Sequence, residues 1–159
     1  MALMKLKLLS SMAALALLAA CESTPEQAGG AGGAGAASTI RPGSQEDLVA
    51  NVGDRVFFDF DRYDIRPDQR ATLERQAAWL QQHGTVQVQI AGHADERGTR
   101  EYNLALGQRR ANTARDFLVA RGVAGARIST ISYGEDRPIA LGSNEEAWAQ
   151  NRVAITSVR

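Results

Sequence analysis

The 159-residue sequence predicts an α/β two-layer sandwich of order βαβαββ, a mixed sheet with helices packed on one face. Two observations carry that expectation. Short stretches with apolar residues at period two alternate along the chain with longer stretches at helical period, and each of the two long helical stretches is followed by glycine.

Val56, Phe58 and Phe60 recur at every second position in Arg55-Val56-Phe57-Phe58-Asp59-Phe60-Asp61, which predicts a strand ending in carboxylates. Pro67-Asp68 then opens a helix with Leu73, Ala77 and Leu80 on one face, stopped at His83-Gly84 by a glycine C-cap. Val86, Val88 and Ile90 define a second strand that runs out at Ala91-Gly92. After a loop from His93 to Arg100, Tyr102 to Arg121 forms the longest amphipathic helix, with Leu104, Ala111, Ala114 and Leu118 as its apolar stripe and Gly122 at its end. Ile128, Thr130 and Ser132 suggest a third strand. Asn144 to Gln150 suggests a short helix, and Val153 to Thr156 a last strand.

The segment before this domain is of another kind. Lys5 and Lys7 precede an apolar run from Leu8 to Ala20, too short to span a bilayer but suited to a signal peptide over residues 1–20. Leu18-Ala19-Ala20-Cys21 resembles the lipobox of bacterial lipoproteins, which implies cleavage before Cys21 and acylation of its sulfur and new amino group. Each buried methylene contributes about 0.8 kcal/mol, so several acyl chains anchor a protein that does not span the membrane. Residues 21–43 then collapse to Gly, Ala, Ser, Thr and Pro, the composition of a flexible tether. About 25 such residues have a root-mean-square span of roughly 25–30 Å. Residues 44–159 make one domain's worth of chain.

The full chain carries 18 basic and 18 acidic residues; without Lys5 and Lys7 the count is 16 against 18. That balance gives no reason to expect nucleic acid as a partner. Every basic side chain after Cys21 is arginine, so an N-acylated mature chain has no primary amine and its attachment to other polymers is expected to be non-covalent. The sequence gives no sign of a catalytic or metal site and implies no cofactor. His83 and His93 are the only histidines, Cys21 the only cysteine, and no histidine stands beside a convincing nucleophile.

Val56 to Arg66, Gly92-His93-Ala94-Asp95-Glu96-Arg97-Gly98-Thr99 and Glu101 to Asn112 stand in this order, followed by Ile131-Ser132-Tyr133-Gly134-Glu135-Asp136-Arg137-Pro138. With these motifs the chain resembles the OmpA C-terminal family, and within it the peptidoglycan-associated lipoproteins (Pal), over the whole stretch from about Asp54 to Arg159. Where the family usually shows Asn-Arg-Arg, this chain has Asn151-Arg152-Val153.

The resemblance implies a lipoprotein on the periplasmic side of the outer membrane that binds diaminopimelate in peptidoglycan stem peptides. It further implies a place in the Tol–Pal system, docking to TolB, and a part in envelope integrity and cell division. An OmpA-like structural lipoprotein without a Tol partner is the alternative. Carried over by position, Asp95 meets the ligand's free ammonium and Arg110 its carboxylate, with Asp61 and Phe60 at the strand end and Leu106 shaping the pocket.

The helical wheel agrees with this choice of arginine. At about 100° per residue Arg110 lies some 60° from the middle of the apolar stripe, at its rim, while Arg109 points into solvent. A guanidinium can grip a carboxylate through two parallel hydrogen bonds. From spacing alone an aspartate placed like Asp95 is most often a turn residue or cap and paired arginines on a helix most often a solvated face, and either Asp59 or Asp61 could cap the segment that follows.

Overall fold

In the computed structural model, which describes residues 40–159, the chain enters through a short helical segment that the sequence pattern does not announce. Helix α1 (Gln45–Asp47) runs into a π-turn over Leu48–Val52. Ser44 caps it by accepting from the Asp47 amide, and the Asp47 carboxylate accepts from the Gly43 amide, Asn51 Nδ2 and the Trp79 indole. Hydrogen bonds from Asn51, Trp79 and Gly43 hold this carboxyl down at about 2. The signal peptide, Cys21 and most of the tether lie outside the described residues.

Strand β1 (Arg55–Phe57) is shorter than the alternation suggests. One more bond, from the Phe58 amide to the Arg152 carbonyl, extends it before the chain turns at Asp61, whose φ of 56° is the only positive value for a non-glycine among the described residues. Asp59 and Asp61 therefore do not share a strand face. Asp59 pairs with Arg66 at 3.4 Å, and no side chain caps the 3₁₀ turn Pro67–Gln69 that leads into α2 (Arg70–Gln82). That helix ends on His83 with φ −104°, and Gly84 is not among the left-handed glycines; Gly122, with φ 93°, is the one that closes a long helix as expected.

The remaining elements are β2 (Val88–His93), α3 (Arg100–Ala120), β3 (Ile128–Gly134), α4 (Glu145–Asn151) and β4 (Val153–Val158). Thr99 and Asn144 cap α3 and α4, accepting from the amides three residues on. The sheet order is β1, β4, β2, β3. Strand β4 is antiparallel to both neighbours (Val56 opposite Ala154, Ile90 opposite Thr156), and β2 is parallel to β3 (Val88 opposite Ile128). The sheet is thus mixed, as expected, and the carboxyl ends of β1, β2 and β3 all lie where β4 begins.

Helices α2 and α3 cover one face. Leu73, Ala77 and Leu80 of α2 and Ala111, Ala114 and Leu118 of α3 meet Val56, Val88, Ile90 and Ala154 in the core. Buried Gln76 donates to the Gly53 carbonyl and accepts from Thr156. Helix α3 comes closest to the sheet where two glycines cross: a Cβ on Gly92 would overlap the Gly107 carbonyl, and one on Gly107 would strike Ser132 and Gly92. This contact sets how deeply the first turns of α3 sit between β2 and β3.

Gly92→Ala is accordingly expected to destabilise the domain by about 3 kcal/mol, at the upper end for overpacking. A urea midpoint within error of the parent would contradict the close crossing.

Candidate functional site

The loops after β1 and β2, the start of α3 and the start of β4 converge at one end of the sheet, outside the carboxyl ends of its parallel strands, where α/β folds place ligands. They enclose a cavity of about 220 Å³. Its walls are Phe60, Asp61, Asp95, Arg97, Gly98, Tyr102, Asn103, Leu106 and Arg110. Phe60, Asp61, Asp95, Leu106 and Arg110, chosen from the sequence, line this one cavity together. It is smaller than the usual pocket for a drug-sized molecule and suits the tip of a side chain.

Arg110 is fully buried, not at the rim of the packed face. The inward face of α3 runs through Asn103, Gly107, Arg110, Ala111, Ala114 and Leu118. Polar Asn103 and small Gly107 leave no trace in a hydrophobic pattern, so the stripe read from Leu104 is rotated away from the true one. The guanidinium donates from Nε to the Arg62 carbonyl (2.8 Å), from Nη1 to His93 (2.8 Å) and from Nη2 to Asp59 (3.1 Å). Three of its five N–H groups are thus spent on main chain, and one on each Nη remains. Burial lowers the guanidinium to about 10, so it stays charged at neutral pH, helped by nearby Asp95.

Asp95 is also buried, with 5% of its side chain exposed. Its Oδ1 accepts from the Arg97 amide and Nε, both at 3.2 Å, and its Oδ2 accepts from Arg97 Nη2 at 2.7 Å and Arg152 Nη1 at 3.4 Å. Burial pushes this carboxyl up, but the hydrogen bonds and charge of Arg97, with Arg152, more than offset it and hold it below the usual range. Arg152 also donates to the Phe58 carbonyl and to Glu145, fixing it as a strut between β1, β4 and α4.

Around the mouth the side chains are aromatic. The Arg97 guanidinium lies 3.9 Å from the Phe60 ring centre and 4.2 Å from that of Trp148. Tyr102 donates to Asp61, which raises the phenol above its ordinary value. Arg109 is half-buried rather than free in solvent, because Tyr63 and Tyr102 flank it at 5.4 and 5.6 Å. Asn103 donates to Glu135 and to the Arg97 carbonyl. His93 turns away, its Nδ1 against the Arg137 carbonyl at 3.0 Å.

Arg97, Tyr102 and Arg152 are the site residues that the sequence reading did not single out. Arg97 stood in the motif, two residues from Asp95, a spacing that lets a loop arginine close back on its own carboxylate. Arg152 stood in the Asn151-Arg152-Val153 stretch, but nothing in the chain order brings residue 152 to residue 95.

This fold and site define a class. The OmpA family model matches residues 57–152, and the chain belongs to the OmpA family. Among its relatives, a protein of Mesorhizobium japonicum named peptidoglycan-associated lipoprotein is 55% identical over 122 residues, covering 77% of this chain and 73% of that one. A protein of the same name from Rhizobium meliloti is 57% identical over 120 residues, 76% of this chain and 68% of its own. The crystal structure of the peptidoglycan-associated lipoprotein from Burkholderia pseudomallei superposes with a TM-score of 0.65 at 43% identity, covering 67% of this chain and 90% of that one. The C-terminal domain of Helicobacter pylori MotB shares the fold, with a TM-score of 0.62 at 24% identity, covering 67% of this chain and 84% of that one.

A carboxyl held low in the folded state stabilises above its unfolded value, near pH 4, and that contribution is lost as pH falls through the folded value. Asp95→Asn should therefore cost roughly 3 kcal/mol at pH 7, as for a broken buried pair, and clearly less at pH 3. Urea unfolding at the two pH values checks this; an equal loss at both would contradict the ionic role.

Proposed function

We propose that this domain binds peptidoglycan non-covalently, reading the zwitterionic end of a diaminopimelate side chain in the stem peptides. The observation that supports this most is that a buried carboxylate and a buried guanidinium with two unspent N–H groups line the same small cavity. The ligand's carboxylate takes the two free Nη protons of Arg110, and its ammonium goes to Asp95. Leu106 and Phe60 enclose the methylene stem, and Asp61 stands at the mouth. A lysine-type stem lacks the terminal carboxylate and leaves Arg110 unanswered, so discrimination follows from one missing charge.

In this reading Cys21 carries the acyl anchor in the outer membrane, the tether spans the gap, and the domain holds the wall. The names of the relatives, peptidoglycan-associated lipoproteins, support both halves of that arrangement. Docking to TolB, and with it a part in envelope integrity and cell division, belongs to the same reading through the resemblance to the Pal group. A ligand tip of about ten heavy atoms supports only modest affinity per contact. Tethering beside a lattice of identical stems raises the effective concentration, so many exchanging contacts hold a membrane that no single one could.

The test is co-sedimentation of the purified full-length protein with walls of the two stem types. The parent is expected to pellet with diaminopimelate-type peptidoglycan and to stay soluble with the lysine type. Asp95→Asn should weaken pelleting at least about tenfold, the scale of a lost charge-assisted hydrogen bond. Arg121→Gln, at the far end of α3 where the exposed guanidinium pairs with Glu74, should leave it unchanged. Equal pelleting with both wall types would contradict the zwitterion reading.

A further inference from the structure

The carboxylate assigned to the ligand's ammonium is already full. A carboxylate offers about four lone-pair positions. All four on Asp95 are taken, three by the Arg97 amide and guanidinium and one by Arg152. The side chain is almost wholly buried, so no fifth donor reaches it from solvent. An incoming ammonium would also meet the charges of Arg97, Arg152 and Arg110 around a single buried anion, an arrangement that like-charge repulsion opposes.

We infer that Arg97 is a resident cation in the ammonium seat, and that ligand binding is an exchange in which the ligand's ammonium displaces the Arg97 guanidinium from Asp95. The inference rests on the zwitterion reading above and names the residue that sets its selectivity.

Two arginines hold Asp95, and the structure distinguishes the one that leaves. Arg152 is 9% exposed, and its other donors are fixed to the Phe58 carbonyl and Glu145. Arg97 is 31% exposed, and a second carboxylate waits for it: Glu145 Oε2 lies 3.8 Å from its Nη1. The guanidinium lies against Phe60 and Trp148, whose faces attract a cation wherever it slides across them. Arg97 therefore has a parked position that keeps an ionic partner and aromatic contact, and the swap costs little more than the Asp95 bonds it gives up.

Exchange sharpens specificity. A simple carboxylate satisfies Arg110 but cannot evict Arg97, which needs a competing cation. A simple amine evicts Arg97 but gains nothing from Arg110. Only a ligand carrying both charges at one end recovers the displaced interaction. The apparent affinity is also reduced by the fraction of molecules whose seat is closed. Arg97→Met keeps a flexible stem between the two rings and removes the competitor, so it leaves the seat permanently open.

Two measurements on the full-length protein test this, with free meso-diaminopimelate and cadaverine, a diamine without carboxylates, as probes. In the parent, saturation with meso-diaminopimelate should move the Arg97 Nε–Hε NMR resonance while that of Arg152 stays in place. By calorimetry, Arg97→Met should bind meso-diaminopimelate about three- to tenfold more tightly than the parent, the worth of one half-exposed ion pair, and should gain measurable affinity for cadaverine. Parent binding with an unmoved Arg97 resonance, or equal or weaker binding by Arg97→Met, would overturn the exchange and leave the zwitterion reading standing. Absence of parent binding to meso-diaminopimelate would overturn both. The resonance test needs no variant, so it decides the matter even if Arg97→Met fails to fold.

Discussion

The Arg110 guanidinium is the point on which the upper end of the domain depends. Its three bonds to the carbonyls of Asp59, Arg62 and His93 tie the loop after β1 and the end of β2 to the inner face of α3. Without a cation there, three inward carbonyls would lose their donors, each at a cost of about 1–3 kcal/mol. The loop that carries Phe60 and Asp61 would lose its fastening. A planar group with five donors suits this position, because it can satisfy main chain on one edge and present unspent N–H groups on another. In the proposed reading, structural and binding roles thus fall on different protons of the same side chain.

Asp95 is set in a similar way from the opposite wall. It enters from the loop after β2, and Arg152 reaches it because β4, antiparallel to its neighbours, begins where they end. The Gly92–Gly107 crossing brings the first turns of α3 close enough for Asn103, Leu106 and Arg110 to close the cavity from the side. Each wall therefore comes from a different element, and the cavity exists only in the folded sheet. Opposite charges on two buried side chains, Asp95 and Arg110, interact more strongly than they would in water.

Much of this was legible in the sequence. Period-two and period-3.6 patterns located the main strands and helices, and the long motifs from Val56 to Asn112 marked both pocket loops. What escaped was whatever depends on small or polar residues doing the work of a core. The α1 turn is too short for an apolar stripe: Asp47 and an indole N–H hold it, with only Leu48 and Val52 of the following π-turn in the core. Gln76, Asn103 and Arg110 are among the most deeply buried side chains, yet hydrophobic periodicity assigns all three to a boundary or to water. β1 stops at Phe57, although the alternation continues to Phe60, because the chain turns at Asp61 to deliver Phe60 to the cavity mouth. Arg152 needed the three-dimensional topology, since only the sheet order brings it to Asp95.

Under the proposed function, a link built from many weak, exchanging contacts suits a membrane that must be held to its wall and still move along it. It requires each contact to be specific without being tight. In the proposed reading, a pocket whose anion is satisfied internally until the right cation arrives meets that requirement, and Arg110 supplies the other half of the recognition. The decisive measurement is a crystal structure of the protein with a diaminopimelate-containing stem peptide bound. The predicted result is a ligand carboxylate on the two free Nη protons of Arg110, with the bonds to Asp59, Arg62 and His93 intact. A ligand seated with its carboxylate elsewhere and Arg110 untouched would contradict the assignment of this cavity.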